Sequence, residues 1–433
     1  MEFKQYPSYK KSGVEWLGEV PEHWNLKRFC YLFAENKKKN IGLKETNVLS
    51  LSYGNIKEKK IDDNKGLLPE SFETYQIIEP NDIVFRFTDL QNDKRSLRSA
   101  ISKYHGIITS AYIAVKTKQN ADFYNYLFRA YDLQKVFYSM GEGMRQSLKM
   151  DELNKMPVVL PSEDEQKRIV AFLDTETTRI DTLIAKQEKL IELLEEQRKS
   201  IISHAVTKGL DPNVPMKDSG VEWLGNVPEH WNISKLRYYL DGIKDGTHGT
   251  HVSTTEGELL LSGKNIKNGK LVINDNERKI SLEDHQKITA NGFPKKGDLL
   301  INVVGTIGQS CIYELDTPIS FQRSVCFLRA NNKLEPNFLQ RILESNLSQN
   351  QLKILTNKST IGGVYMGDLV ELIIPVVPIK EQNKITDYLD KEIQEIVNCI
   401  DKQKLLIEKL KEYRASVISH AVTGKIDIRE LVA

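Results

Sequence analysis

Four cysteines in 433 residues, Cys30, Cys311, Cys326 and Cys399, are too few and too scattered for a disulfide framework, and no CxxC pair marks a zinc site. Long apolar runs are missing too. Stretches such as IIPVV at 373–377 fall far short of the roughly 18 to 20 residues that cross a bilayer. No apolar segment follows the polar opening MEFKQYPSYKKSG, so a secretory signal is not expected and the chain is expected in the cytoplasm, away from membranes. Phosphate-loop (GxxxxGK[ST]), zinc-protease (HExxH) and serine-hydrolase (GxSxG) signatures are absent. VGTIGQS at 304–310 has glycines three apart but lacks the GxGxxG context that a dinucleotide site needs. His204 and His420 recur in matching SHAVT pentapeptides without a partnered nucleophile or carboxylate, which favours a structural or docking role. The sequence therefore offers no assembled active site and no metal site.

What is present is a globular composition, 40% hydrophobic and 28% charged, in a chain long enough for two to three domains. It is also a repeat. SGVEWLGEVPEHWN (12–25) and SGVEWLGNVPEHWN (219–232) agree at 13 of 14 positions, so self-similarity sets the reading of everything else. A second matched pair runs from Glu165 to Thr207 and from Glu381 to Thr423, with 23 of 43 positions identical. The intervening segments, 26–157 and 233–373, do not align by eye. Constant blocks held to one task, with middles held to two, is the functional reading; faster drift of loop-rich domains is the alternative.

Both 43-residue constant segments lack Pro and Gly and carry a sustained apolar period, which predicts helices roughly 60 Å long at 1.5 Å per residue. The first seam is Ile169, Leu173, Glu176, Ile180, Leu183, Gln187, Leu190, Leu194, Gln197 and Ile201. The second is Ile385, Leu389, Glu392, Ile396, Cys399, Gln403, Leu406, Leu410, Tyr413 and Val417. Alternating steps of four and three fit a coiled-coil seam. Tandem copies related by a pseudo-twofold axis pack such helices antiparallel, and Gln187 and Gln403 are expected to meet near that axis. Further apolar positions (Phe172, Ile184, Ile191, Ile202; Tyr388, Ile400, Ile407, Ile418) widen the stripe, so something beyond the paired helix is expected to pack there. Proline-containing runs (156–166, 373–382) delay each helix start, with Ser162 or Asp164 as the first cap, and 208–220 reads as a linker.

The middles read as mixed α/β. Strand-like stretches lie at 47–56, 81–87 and 106–115, then at 257–263, 297–304 and 324–330, with single helices expected at 122–140 and 337–355. Basic residues outnumber acidic ones by 22 to 16 over 26–157 and by 17 to 15 over 233–373, whereas the remainder of the chain is net acidic. The densest polar stretch follows a strand. It offers Arg86 to guanine, Gln91 and Asn92 to adenine, and Lys94, Arg95 and Arg98 to phosphates; Arg145 and Gln146 form a second candidate. In the second middle the comparable Gly-punctuated positions are Thr247, His248, Lys264, Asn265, Thr306, Gln322 and Arg323. A solvated loop explains such composition as well as DNA contact does.

With the EQ-initiated helices ending ISHAVT, the GLDP linker, DIVFRFTDLQNDKRSLRSA, GIITSAYIAV, DGTH and GDLLINVVGTIGQ in view, the whole chain resembles the specificity (S) subunit of bacterial type I restriction-modification enzymes. That resemblance implies an α+β architecture: target-recognition domains over 1–161 and 219–377, helices over 162–207 and 378–433 (the latter with the C-terminal tail), and a linker over 208–218. It further implies that each domain reads half of an interrupted double-stranded DNA site, with the antiparallel coiled coil as a ruler. Two methyltransferase subunits using S-adenosylmethionine on adenine, and restriction subunits using ATP and magnesium, are the implied partners; this chain would bind no cofactor and catalyse nothing. A coiled-coil protein-interaction scaffold without DNA specificity is the alternative, and a single-chain nuclease or methyltransferase would need motifs that are missing.

Overall fold

In a computed structural model, which describes residues 3–59, 71–88, 90, 97–140, 147–290, 292–358 and 362–431, the two longest elements are helices Glu163–Lys208 and Ile379–Val422. Each ends where a glycine takes a left-handed turn, Gly209 at φ 78° and Gly424 at φ 72°, which a side chain would resist. Ser162, not Asp164, caps the first: its Oγ accepts from the backbone of Glu165 at 3.3 Å, and Asp164 instead pairs with Arg168. The preceding proline runs are strands. Pro157–Leu160 pairs antiparallel with Asn25–Arg28, and Ile373–Val376 pairs with Asn232–Lys235.

Two compact units emerge, one of residues 1–187 and 405–433, the other of 188–404; each boundary falls within a long helix. In the first unit, Phe33–Glu35, Ile113–Thr117, Ile83–Phe85 and Ser99–Ile101 form a four-stranded antiparallel sheet in that order. A core rich in aromatic rings packs against it, including Phe29, Phe33, Phe85, Phe128 and Phe137, and takes in Ile169 and Leu173 of one helix with Val417 and Ala421 of the other. These helix segments pass in opposite directions: Arg168 donates to the Arg429 carbonyl, while Arg414 grips the Asp181 carboxylate at 2.9 and 3.1 Å.

In the second unit the corresponding sheet runs Leu240–Asp245, Val325–Ala330, Leu299–Asn302, Ser310–Ile312. Its core is mostly aliphatic and includes Ile202, Ala205 and Val206 with Ile385, Leu389 and Ile393.

The constant blocks hold one another. His23 reaches Glu165 at 3.1 Å, and Tyr6 donates to the same carboxylate; in the second unit His230 and the Trp231 indole both reach Glu381. The buried Gln166 bonds the Pro161 carbonyl and the Asn120 amide, and Gln382 repeats this with Val377 and Glu335. Lys425 caps the turn carbonyls of Leu17 and Glu19, as Lys208 caps those of Leu224 and Asn226. The EQ and EHW motifs are thus two sides of one joint that fixes each helix to its sheet.

Several expectations change. The single helix expected at 122–140 breaks after Ala121–Leu133, because Lys135 adopts φ 62°, and resumes at Val136–Met140. The one expected at 337–355 breaks at the extended, fully buried Ser345, whose hydroxyl donates to the Ile342 carbonyl. The stretch 47–56 is a hairpin, Leu49–Ser52 with Asn55–Glu58, and 106–115 holds two strands, Gly106–Ile108 and the start of Ile113–Thr117. Along the seam, Ile169, Leu173, Ile180, Ile385, Leu389 and Ile396 are buried. Leu183, Gln187, Leu194, Gln403 and Leu410 are half-buried, whereas Leu190 and Leu406 are exposed. Gln403 bonds Cys399 on its own helix.

Candidate nucleic-acid interface

Antiparallel pairing brings several loops of the second unit to one end of its sheet. Asp245 lies opposite Cys326, and Asn302 lies opposite Val325, so the loops after the first strand, after the third and before the second all leave from that end. The parallel pair Leu260–Ser320 and Leu261–Phe321 delivers a fourth, the 262–265 turn. Backbone bonds then tie the loops together. Thr247 donates to Phe321 at 2.7 Å, Arg323 returns to Thr247 at 3.0 Å, and Gln322 donates to Leu261 at 2.8 Å. Gly263 donates to the Ser324 hydroxyl at 3.1 Å, and Val303 donates to the Ser324 carbonyl at 2.9 Å. The approach at Gly246 is so close that a Cβ there would lie 2.2 Å from the Phe321 oxygen, which explains the glycine of the DGTH motif.

The residues singled out from sequence on this unit thereby come together, with different fates. His248, Lys264, Thr306 and Arg323 stand exposed, and Thr247 and Gln322 are half-buried. The Thr247 hydroxyl bonds His251 at 2.9 Å, while His248 pairs with Asp245. Lys264 sits 2.9 Å from Glu277, whose side chain is enclosed. The hydrogen bond from Lys264, then that from Asn274, holds the Glu277 carboxyl well below the usual carboxylate range, at about 2. Asn265 is a correction: it is buried, accepts from the Ser262 amide and donates to the Val272 carbonyl, so its amide holds its own turn and is not offered to a base. His251 and Gln309 lie within the Gly-punctuated stretches 245–251 and 304–310 that the sequence offers, whereas Tyr365 lies outside every stretch it offers. Tyr365 is exposed and is brought to this end by the bond from Val364 to Val303; an aromatic just after a glycine pair was the available signal.

In the first unit, Gln91, Asn92, Lys94, Arg95, Arg145 and Gln146 lie outside the described residues. Arg86 is half-buried at the strand exit and donates its amide to the Arg98 carbonyl at 2.8 Å. Arg98 is the second correction. Assigned to phosphate from sequence, it is wholly enclosed. Its guanidinium donates to the Thr88 carbonyl and the Tyr138 hydroxyl, and its backbone amide donates to Asp132 at 2.6 Å. It braces the strand end against the helices; a buried cation with these partners is not presented to a duplex. Burial pushes the Asp132 carboxyl up, against the pull of the Arg98 amide.

Among the described residues, no group of three or more His, Cys, Asp or Glu side chains could hold a metal ion, and no helix is long and apolar enough to cross a membrane. What the second unit presents at this end is a set of exposed polar loop residues carried on a hydrogen-bonded sheet.

The family model for the type I restriction modification DNA specificity domain matches residues 100–193 and 255–409, more than half of the chain. A putative type I restriction enzyme specificity subunit, MjaX, of Methanocaldococcus jannaschii is 24% identical over 453 residues, covering 99% of both chains. The MjaVIII specificity subunit of the same organism is 26% identical over 75% of this chain and 76% of its own. Among solved structures, a chain from a study of complex assembly and conformational transition of the type I R-M system gives a TM-score of 0.70 at 17% identity, over 94% of this chain and 99% of that one. The HsdS subunit from Thermoanaerobacter tengcongensis gives 0.54 at 17% identity, over 96% of this chain and 100% of its own. Likeness at such identity establishes the shared two-domain, mixed α/β fold. By its family match, the chain belongs to the type I restriction-modification DNA specificity family.

Proposed function

We propose that this chain is the sequence-reading subunit of a type I restriction-modification complex. Each recognition domain, 1–161 and 219–377, reads one half of an interrupted double-stranded DNA target, and the helices over 162–207 and 378–433 set the distance between them as a coiled-coil ruler. Two methyltransferase subunits, using S-adenosylmethionine, and restriction subunits, using ATP and magnesium, carry the chemistry. This chain selects the site and scaffolds them without catalysing a step. The observation that carries the reading is the set of four loops tied together at one sheet end, which carry the exposed His248, Lys264, Thr306 and Arg323 and the half-buried Thr247 and Gln322. Arginine, lysine, histidine, threonine and glutamine supply the donors and acceptors that read base edges and grip phosphates.

The test is a gel shift of the chain assembled with its methyltransferase partner, on DNA carrying sites mapped as methylated adenines in the host genome. Tight binding to a two-part motif, over non-specific DNA by at least about a thousandfold, is expected of a specific reader. Equal binding to all duplexes would overturn the reading.

A further inference from the structure

Within the candidate interface one residue faces no solvent yet touches two of the loops. Asn302 ends the strand Leu299–Asn302 and is wholly buried. Its backbone closes the loop that follows: the amide donates to Gln309 at 2.8 Å, and the carbonyl accepts from Gly308 at 2.9 Å. Its side-chain amide reaches in two directions. Nδ2 donates to the Gly263 carbonyl in the 262–265 turn at 2.9 Å, and to the Thr306 hydroxyl within its own loop at 2.8 Å. Oδ1 has no hydrogen-bond partner among the described residues, and a Cβ added at Gly263 would lie 3.0 Å from it.

A side chain present only to fill the core would not need these polar atoms. Burying an amide with its oxygen unpaired costs stability that a leucine would not, and the neighbouring Leu299, Leu300 and Ile301 show that the strand accepts aliphatic residues. What the amide adds is a fixed relation between the turn carrying Lys264 and the loop carrying Thr306. In the first unit the position at the same distance after a buried aspartate, Asp82 there and Asp298 here, is Arg86, so the strand exit carries a different polar group in each unit.

We propose that Asn302 is a positioning residue for recognition of the second half-site: through Gly263 and Thr306 it holds two DNA-reading loops in one register and itself touches no base. This rests on the DNA-reading function proposed above. Recognition by bidentate contacts depends on placement within a few tenths of an ångström, so a loosened loop pair loses discrimination before it loses attraction to the phosphates.

The experiment compares the wild-type complex, assembled with its methyltransferase partner, with Asn302→Asp, which keeps the shape but loses the donor, and with Thr306→Val and Thr306→Ser at the exposed end of the same bond. Methylated sites are mapped, and methylation is measured on targets with single-base changes in either half. For Asn302→Asp, discrimination in the second half-site should fall at least about fivefold, with the first half-site motif and the salt dependence of binding unchanged. Thr306→Val should move in the same direction by less, and Thr306→Ser should restore it. A purely structural role would lower the active fraction and leave the second half-site motif of the surviving enzyme intact; that result overturns the proposal. If Asn302→Asp does not assemble, Asn302→Ser, too short to span both Gly263 and Thr306, takes its place, and an unchanged second half-site motif overturns the proposal; the Thr306 pair, itself at the reading surface, only supports that result. Wild-type complex without a two-part motif would instead sink the DNA-reading function itself, so the two failures are distinguishable.

Discussion

At the helix starts the two units are built alike. His23 meets Glu165 as His230 meets Glu381, and Gln166 spans Pro161 and Asn120 as Gln382 spans Val377 and Glu335. At the loop ends they differ: the first unit closes its strand exit over a buried arginine, Arg98, and the second over a buried amide, Asn302. Even the identical SGVEWLG blocks diverge where they leave the joint. The Trp16 ring meets Tyr131 edge-on at 6.2 Å, whereas Trp223 is 53% exposed. The joint is built from hydrogen bonds made by constant side chains, those of Gln166 and Gln382 to the Pro161 and Val377 carbonyls being buried, so it tolerates little change, while each loop end needs only some internal brace.

That contrast is open to breakage. The largest effect is expected at Arg98→Ala, which removes a buried guanidinium from the Thr88 carbonyl and the Tyr138 hydroxyl; a loss of roughly 3 to 5 kcal/mol in urea unfolding is expected, confined to the first unit as read by hydrogen exchange. Next come Gln166→Ala and Gln382→Ala. Each should cost about 2 to 3 kcal/mol, since each orphans at least one buried backbone group, and the two losses should agree; a difference of more than about 1 kcal/mol would show that the joints are not equivalent. A smaller effect is expected at the exposed Arg323. Arg323→Ala should leave stability within about 0.5 kcal/mol. It should either relax one base position by about 1 to 3 kcal/mol, marking a base contact, or weaken all DNA alike and lower the salt slope by about one, marking a phosphate contact. No change in either would move the interface away from this loop end.

The smallest effect concerns pH. Because Lys264 and Asn274 hold the Glu277 carboxyl at about 2, below the 4.5 of an ordinary glutamate, the native state binds this proton less readily than the unfolded chain. Its contribution is present above pH 4.5 and is lost as pH falls from there through about 2. Thermal melts of wild type against Glu277→Gln should therefore converge over that window, and parallel curves would show that Lys264 is not held by Glu277.

Periodicity made the long helices legible, because 43 residues without Gly or Pro and with a repeating apolar stripe leave few other structures. The matched blocks were visible as a repeat, but not as a joint, since the pairing of His23 with Glu165 spans 142 residues. Helix breaks at Lys135 and Ser345 left no mark in composition. In the second domain, glycine-punctuated polar segments led to Thr247, Lys264, Thr306 and Arg323, which the sheet gathers at one end. That rule placed Asn265, and polar density placed Arg98, outside when both are buried, because residue type gives donors and acceptors but not the direction in which they point. Asn302 stands out in sequence as the polar end of an otherwise apolar strand, but sequence alone does not show that its amide spans two loops.

The central claim is that a shared frame carries two independent readers. Replacing residues 233–373 by the equivalent segment of a relative, leaving 26–157 and both constant blocks untouched, and mapping methylated adenines in cells that also carry the methyltransferase partner tests it most directly. One half of the motif should change while the other half stays as it was. A change in both halves, or in neither with methylation intact, would contradict the account.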